Sequence, residues 1–327
     1  MYAVEERLLA LQDGVEKART DLKAKLTRKG VSFNTNDTLR KLISLIPRKI
    51  TPPINLYGTL YSHVAVNVDN TRILISGGTL NNNPTQTHKL YNATNKTFVS
   101  KANCPTNVRY EHAGAKWRDA YYYFGGAFYQ YNLNTNTFTS KNYHHPWTSP
   151  TLANTIDFLL LSGGNWGGST KEQLIYNDTA DTWTEKLNLR FYLSNHSATD
   201  SDYINNKVLI SGGYSDGDRG PSNINDVFNI NSNTFTQKTN LPQGRVSLRS
   251  LKINNTNSVL INGGTNVNEA NTTKVFDVNA NIFINKKSAP TTWTEHTLAK
   301  IDNDFLISGG EGKSKQYVYT VNTDEYI

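Results

Sequence analysis

The stretch ILISGGTLNNNPTQTHKLYNATNKTF, residues Ile73 to Phe98, carries a pattern that the chain writes six times. An apolar run ends in Gly-Gly, a polar loop follows, and an aromatic residue is then answered by a second aromatic seven residues later. The glycine pairs are Gly77-Gly78, Gly125-Gly126, Gly163-Gly164, Gly212-Gly213, Gly263-Gly264 and Gly309-Gly310. The aromatic pairs are Tyr91/Phe98, Tyr131/Phe138, Tyr176/Trp183, Phe228/Phe235, Phe276/Phe283 and Tyr319/Tyr326.

Between the aromatics the wording nearly repeats as well: YNATNKTF, YNLNTNTF, YNDTADTW, FNINSNTF, FDVNANIF and YTVNTDEY. Two short strands around a tight Asn/Thr turn fit this spacing, because Asn tolerates positive φ and bonds its own backbone. From the second Gly to the first aromatic, by contrast, the distance runs 13, 5, 12, 15, 12 and 9 residues. The turn is fixed and the loop is free. The glycine pairs recur after 48, 38, 49, 51 and 46 residues, and such a period with four strand-like pieces per unit predicts a β-propeller. The expected class is all-β, a six-bladed propeller over residues 51–327, preceded by a small α-helical module over residues 1–50.

In the first unit the reading gives strand a over Ser62 to Val68, strand b over Arg72 to Ser76, strand c ending near Tyr91 and strand d around Phe98. Strand b is apolar at consecutive positions, as in Ile73-Leu74-Ile75 and Leu159-Leu160-Leu161. A strand covered on both faces reads this way, and a blade wedged between two others supplies the cover.

The chain has 327 residues with 37% hydrophobic and 11% aromatic residues, ample for a large core of packed sheets. Its formal charge of +7 is concentrated at one end: residues 1–50 hold 11 Lys+Arg against 6 Asp+Glu, leaving 23 against 21 elsewhere. A near-neutral propeller does not point to nucleic acid. The single cysteine, Cys104, excludes an intramolecular disulfide. MYAVEERLLALQDGVEK has acidic residues where a signal peptide is basic, and no apolar run approaches the ~18 residues of a membrane span. The expectation is synthesis in a cytoplasm without export and no membrane insertion.

Leu8, Leu11, Val15, Ala18, Leu22 and Leu26 form an apolar stripe, predicting a helix from about Ala3 to Lys29 that Gly30 would cap. Asn36 or Asp37 can cap a second helix, whose stripe of Leu39, Leu42, Ile43 and Ile46 is stopped by Pro47. Two helices of this size need something to dock on.

The run LKAKLTRKGVSFNTNDTLRKLISLIPRKI, Leu22 to Ile50, resembles a small helical module near the N-terminus of many bacteriophage tail-fibre and baseplate proteins. Lys29, Gly30 and Val31, the polar Asn34 to Thr38, and Ile43, Ile46 and Ile50 carry the likeness. Any coiled-coil-like hairpin would share such a short motif. The resemblance implies attachment to a phage tail or baseplate through residues 1–50, a place in the virion, and a homo-oligomer with threefold symmetry.

Across Leu56 to Ile327 the order of di-glycine, Tyr and Trp-like aromatic resembles the kelch repeat. The sequence departs from it with Phe or Tyr at five of the six Trp positions and a short loop in the second unit. In kelch propellers the Gly pair turns tightly beside the next blade and the aromatics pack between blades.

With four antiparallel strands per blade, the a–b and c–d turns fall on one face, and the variable b–c and d–a loops fall on the other, where variation suits recognition. That loop face is expected to carry Arg109, Tyr110, Tyr143, His144, His145, Trp147, Trp166, Arg190, Tyr192, Tyr214, Arg219, Arg245 and Trp293. Aromatic faces suit sugar rings and Arg suits hydroxyls or anionic substituents, so a host surface glycan or teichoic-acid-like polymer fits. Each aromatic has a second use, as filler between blades, which sequence does not separate from the first.

His63, His112, His196 and His296 stand 14 to 17 residues before the second Gly of their units. Such repetition argues for a structural hydrogen bond in each blade over a metal. Asp216, Gly217, Asp218 and Gly220 resemble a calcium loop, yet the twelfth place is Val227, and a turn is the simpler reading. Some kelch-like propellers are copper oxidases resembling galactose oxidase, with a Tyr cross-linked to Cys; Cys104, before Pro105, is the only candidate here. No Asp box, phosphate cradle, Ser-His-Asp set or paired carboxylates emerge, and Gly167 to Lys171 has phosphate-loop letters in the wrong order. No catalytic residue, metal or cofactor is assigned. The expected function is host attachment by a phage tail fibre or receptor-binding protein; the alternatives are a carbohydrate-active propeller enzyme and a protein-docking scaffold.

Overall fold

The computed structural model describes residues 15–24, 27, 55–105, 112–143, 147–165, 167–217, 219–254, 256–265 and 270–327. Met1–Thr51 and Pro52–Ile327 form two compact units. In the first, residues 15–24 and 27 are helical, within the expected first helix, and Val15 of its stripe is exposed. Gly30 and the second helix fall outside the described residues. Among the described residues no helix is long and apolar enough to cross a membrane.

The second unit is all-β. Its described residues hold six four-stranded antiparallel sheets, each made of consecutive strands a to d in that spatial order. The first comprises Val64–Asn67, Arg72–Ser76, His88–Asn92 and Thr97–Ser100. The second comprises Ala113–Trp117, Ala120–Phe124, Phe128–Asn132 and Thr137–Lys141, and the third Thr151–Asn154, Leu159–Ser162, Gln173–Asn177 and Thr182–Glu185. Ser197–Asp202, Lys207–Ser211, Asn225–Asn229 and Thr234–Gln237 make the fourth. Arg249–Lys252, Ser258–Asn262, Thr273–Asp277 and Ile282–Lys286 make the fifth, and Thr297–Ile301, Asp304–Ser308, Gln316–Thr320 and Glu325–Tyr326 the sixth. The a strands neighbour one another in cyclic order, the sixth lying beside the first. This is the arrangement of a β-propeller.

The seven-residue aromatic spacing is a cross-strand register. Each pair sits directly opposite across strands c and d. Their ring centroids are 4.7 to 4.9 Å apart in all six sheets. Such pairs add about 0.5–1.5 kcal/mol each beyond burial.

The turn between them is held by Oδ1 of Asn92, Asn132, Asn177, Asn229 and Asp277, each accepting two backbone N–H groups. Its fifth residue after the first aromatic has positive φ in every sheet: Lys96, Asn136, Asp181, Asn233, Asn281 and Asp324, at 52° to 58°. Five of these six carry a side-chain oxygen, and it reaches the preceding sheet. Ala102, Asn142, Leu187, Thr239 and Lys287 each donate a backbone N–H to it at 2.7 to 3.1 Å. The turn is therefore also a staple between sheets.

The core lies between consecutive sheets. Leu159, Leu160 and Leu161 of strand b are wholly buried, and they divide between two clusters, toward the second sheet and toward the fourth. Both faces are covered, as the unbroken apolar run predicts.

The sixth and first sheets meet without exchanging a strand. Leu56 and Leu60 donate backbone N–H groups to Ser314 and Lys313, and Ser62 to Glu295. Nearer the axis, Asn67 pairs with Lys300, Nδ2 to carbonyl at 2.6 Å and amide to Oδ1 at 2.9 Å. The expected role of Arg48 to Pro53 in fastening the ring falls outside the described residues.

Candidate functional site

The variable loops gather at one end because they pair with one another. Leu60–Tyr61, leading into strand a of the first sheet, forms a small sheet with Thr79–Leu80 and Asn83–Pro84 of the b–c loop. Leu193–Ser194, Tyr214–Ser215 and Gly220–Pro221 repeat this in the fourth. The loops that vary in length are thus extensions of the propeller at a single end.

The glycine pair connects that end to the next sheet. In the third sheet Gly163 donates its N–H at 2.9 Å to Glu172 of its own sheet, and Gly164 donates at 2.9 Å to Leu193 of the next. The same outward bond from the second glycine runs from Gly126 to Trp147, Gly213 to Arg245, Gly264 to Trp293 and Gly310 to Leu60. Only glycine fits: Gly163 has φ 55°, and a Cβ there would lie 2.7 Å from His196 Cε1 and 2.5 Å from the Leu193 carbonyl.

Three residues expected on the surface are corrected by this register. Trp147, Arg245 and Trp293 are buried, with at most 1% exposure. They occupy the place that Leu60 and Leu193 occupy elsewhere, where the carbonyl receives the glycine N–H and the side chain fills the gap between sheets. Trp147 packs on Phe124, and Trp293 on Tyr317 and His296. Arg245 Nη1 donates to the Gly263 carbonyl and Thr272 Oγ1, both at 3.2 Å. Each lies four residues before the residue that opens strand a, a spacing that would have revealed the interior position.

Tyr143, Tyr192 and Tyr214 are exposed. Lys171 Nζ lies 4.6 Å from the Tyr192 ring centroid, and Tyr214 stands on the strand beside Ser194. Asp216 accepts from the Ser169 backbone N–H, joining the third sheet's loop to the fourth's. Arg219 is exposed in the turn of the small sheet, at φ 52°. Arg190 is exposed but tied to a buried carboxylate: Nε donates to Asp226 at 2.7 Å and Nη1 to Gln237 at 3.2 Å, at the wall of a hollow of about 440 Å³. Arg109, Tyr110, His144, His145, Trp166 and Asp218 fall outside the described residues.

The repeated histidines are inter-sheet wedges. His196 sits with Cβ 2.7 Å from the ideal Cβ site of Gly213 in its own sheet and Cε1 2.7 Å from that of Gly163 in the sheet before. His296 relates likewise to Gly310 and Gly263, and in the fifth sheet Leu248 takes the same place between Gly264 and Gly212. The expected hydrogen bond exists at His63 and His196, whose Nε2 atoms lie 3.0 Å from Thr297 and Thr151 Oγ1. It is missing at His296, where neither ring nitrogen has a partner. Packing, which leucine also supplies, is the common requirement.

Burial pushes His63 down to about 3, with Arg249 and His112 adding to it, and His196 to about 3 by burial alone. His296 is held well below its ordinary value by burial, then Arg249 and His63. Cys104 is buried with Tyr121, Tyr123 and Tyr131 between the first and second sheets, and burial pushes its thiol up to about 12. Among the described residues no three His, Cys, Asp or Glu side chains gather as a metal site.

The a strands of all six sheets surround a central channel of about 690 Å³. Near its turn-bearing end Asp200 meets Lys252 at 3.8 Å. Burial raises Asp200 to about 6 against the opposing pull of Lys300 and Lys252. No protein-family model matches the chain, and no curated protein is similar to it in sequence.

Proposed function

We propose that the chain is a receptor-binding protein of a phage tail fibre or baseplate, with a six-bladed, kelch-like propeller that attaches to a host surface glycan or teichoic-acid-like polymer. The observation that carries this reading is the exposed Tyr192 ring with Lys171 beside it, two residues from Ser194, which pairs with the exposed Tyr214, at the end where the loops gather. An exposed aromatic face with an adjacent ammonium suits a sugar ring bearing an anionic substituent. Residues 1–50 attach the propeller to the tail, and self-association of their apolar stripes gives a trimer. The test is adsorption of the labelled full chain to bacterial cells alongside a glycan array. Tyr192→Ala should lower retention by about tenfold, the order of a lost stacking contact. No binding by the wild-type chain to any cell or glycan would end this proposal.

The turn-bearing end favours a second reading. Ile156 and Ile204 are exposed there and joined through the Ile156 amide to the Tyr203 carbonyl at 3.1 Å. An apolar patch of this kind suits protein docking. Loss of a tail-protein contact in Ile204→Asp, with glycan binding intact, would select the scaffold role for that end.

A further inference from the structure

The channel wall carries four cationic side chains, Lys116, Arg249, Lys252 and Lys300, against two carboxylates, Asp200 and Glu295. The buried histidines stay neutral and leave this balance unchanged near pH 7. Two of the cations are engaged: Lys116 Nζ donates to the Val68 carbonyl at 2.8 Å, and Lys252 reaches Asp200.

Arg249 is placed differently. It opens strand a of the fifth sheet, at the loop-bearing end of the channel. Among the described residues its guanidinium makes one hydrogen bond, Nη1 to the neighbouring Leu248 carbonyl at 3.0 Å. Glu295, whose charge acts on it, already accepts from Ser62 Oγ at 2.6 Å. A guanidinium has five donors in a planar fork, and Arg249 lines the channel. Partly burying such a charge without a bidentate partner is unfavourable, and an incoming anion removes that penalty.

The rim of the channel adds an independent observation. The residue two positions before strand a has positive φ in five sheets: Ser62, Ser149, Asn195, Ser247 and Glu295, at 51° to 57°. None is glycine, and all five line the channel. Non-glycine residues in this region are uncommon and collect where ligands are held. Main-chain bonds carry the rim from sheet to sheet, Ser62 to Glu295 at 2.9 Å, Asn195 to Ser149 at 3.2 Å and Ser247 to Asn195 at 2.9 Å. The result is a fixed girdle around Arg249 that carries three serine hydroxyls, the Asn195 carboxamide and the Glu295 carboxylate, the last already taken up by Ser62.

We propose that the loop-side mouth of the channel binds a small molecule through one oxyanion, a carboxylate or a phosphate, received by the Arg249 fork, with the rim hydroxyls holding the rest of the molecule. The site is built by the inner strands and is independent of the Tyr192 cluster.

Calorimetric titration of the full chain with inorganic phosphate, glucuronate and glucose at low ionic strength tests this. Saturable binding of phosphate, glucuronate or both is expected, and which of them binds identifies the source of the oxyanion. Arg249→Gln should weaken it about ten- to a hundredfold, whereas Tyr192→Ala and Lys300→Gln should leave it within a few fold. Absence of saturable binding by either anion overturns the proposal, as does glucose binding as tightly as the anions. Loss in Lys300→Gln with retention in Arg249→Gln also overturns it. Should Arg249→Gln fail to fold, Arg249→Lys decides: it keeps the charge without the fork, so weaker binding supports the site and unchanged binding refutes it.

Discussion

Acid should unfold this propeller early, and the histidine wedges set how early. A histidine with a folded pKa below its unfolded value stabilises the fold only while neutral. That contribution is complete above the unfolded value of 6.5 and is lost as pH falls toward the folded one, about 3 for His63, His112 and His196 and about 4 for His88. His296 behaves in the same direction. At pH 5 each such group removes about 2 kcal/mol, so the five together remove about 10 kcal/mol. Asp200 works the other way: its folded pKa of about 6 lies above the unfolded 3.8, so protonation on acidification favours the fold. Between pH 7 and pH 5 it returns only about 1 kcal/mol.

A net loss of about 9 kcal/mol rivals the whole stability of an ordinary domain, so unfolding should begin near pH 5. Urea titrations at pH 7, 6 and 5, followed by tryptophan fluorescence, measure it. His296→Leu is the diagnostic variant, because Leu248 shows that leucine fits the same wedge and His296 gives up no hydrogen bond. Whatever its stability at pH 7, the variant should lose about 2 kcal/mol less than the wild type on moving to pH 5. An identical pH dependence in the two proteins would refute the assignment.

Two further substitutions test the junctions between sheets. Gly213→Ala, at φ 100°, sets a Cβ 2.7 Å from His196 Cβ and 2.9 Å from the Ser194 carbonyl; a loss of about 3 kcal/mol or more is expected in denaturant titration. Asn233→Ala removes the acceptor for the Leu187 amide and leaves a residue with Cβ at φ 55°, for about 2 kcal/mol in all. Asn233→Gly relieves the backbone and should recover only part of that, about 1 kcal/mol.

The features legible in the sequence were those set by local chain geometry. The seven-residue aromatic spacing gave the c–d register, because a tight turn fixes which residues lie opposite. The Ile73-Leu74-Ile75 run gave a doubly covered strand for a similarly local reason. Trp147, Arg245 and Trp293 were misplaced because their environment is supplied by a neighbouring sheet far along the chain. Composition marks an Arg in a linker as surface, while the buried acceptors of Arg245, Gly263 and Thr272, appear only once two sheets are packed. The channel mouth was equally hidden. Ser62, Ser149 and Ser247 share a residue type so common in loops that it marks nothing, Asn195 and Glu295 do not share it, and their common backbone conformation joins all five.

Five junctions of the wheel join sheets that follow each other directly in the chain, and each has a turn oxygen capping the sheet before. The remaining junction brings residues near 60 together with residues near 300, and there the turn position is Lys96, whose side chain offers no oxygen. Every sheet can form from its own contiguous segment, so closing this gap is the sole step with a large loop-closure cost. It is the clasp of the bracelet: last to fasten during folding, and first to part when heat or tension strains the ring.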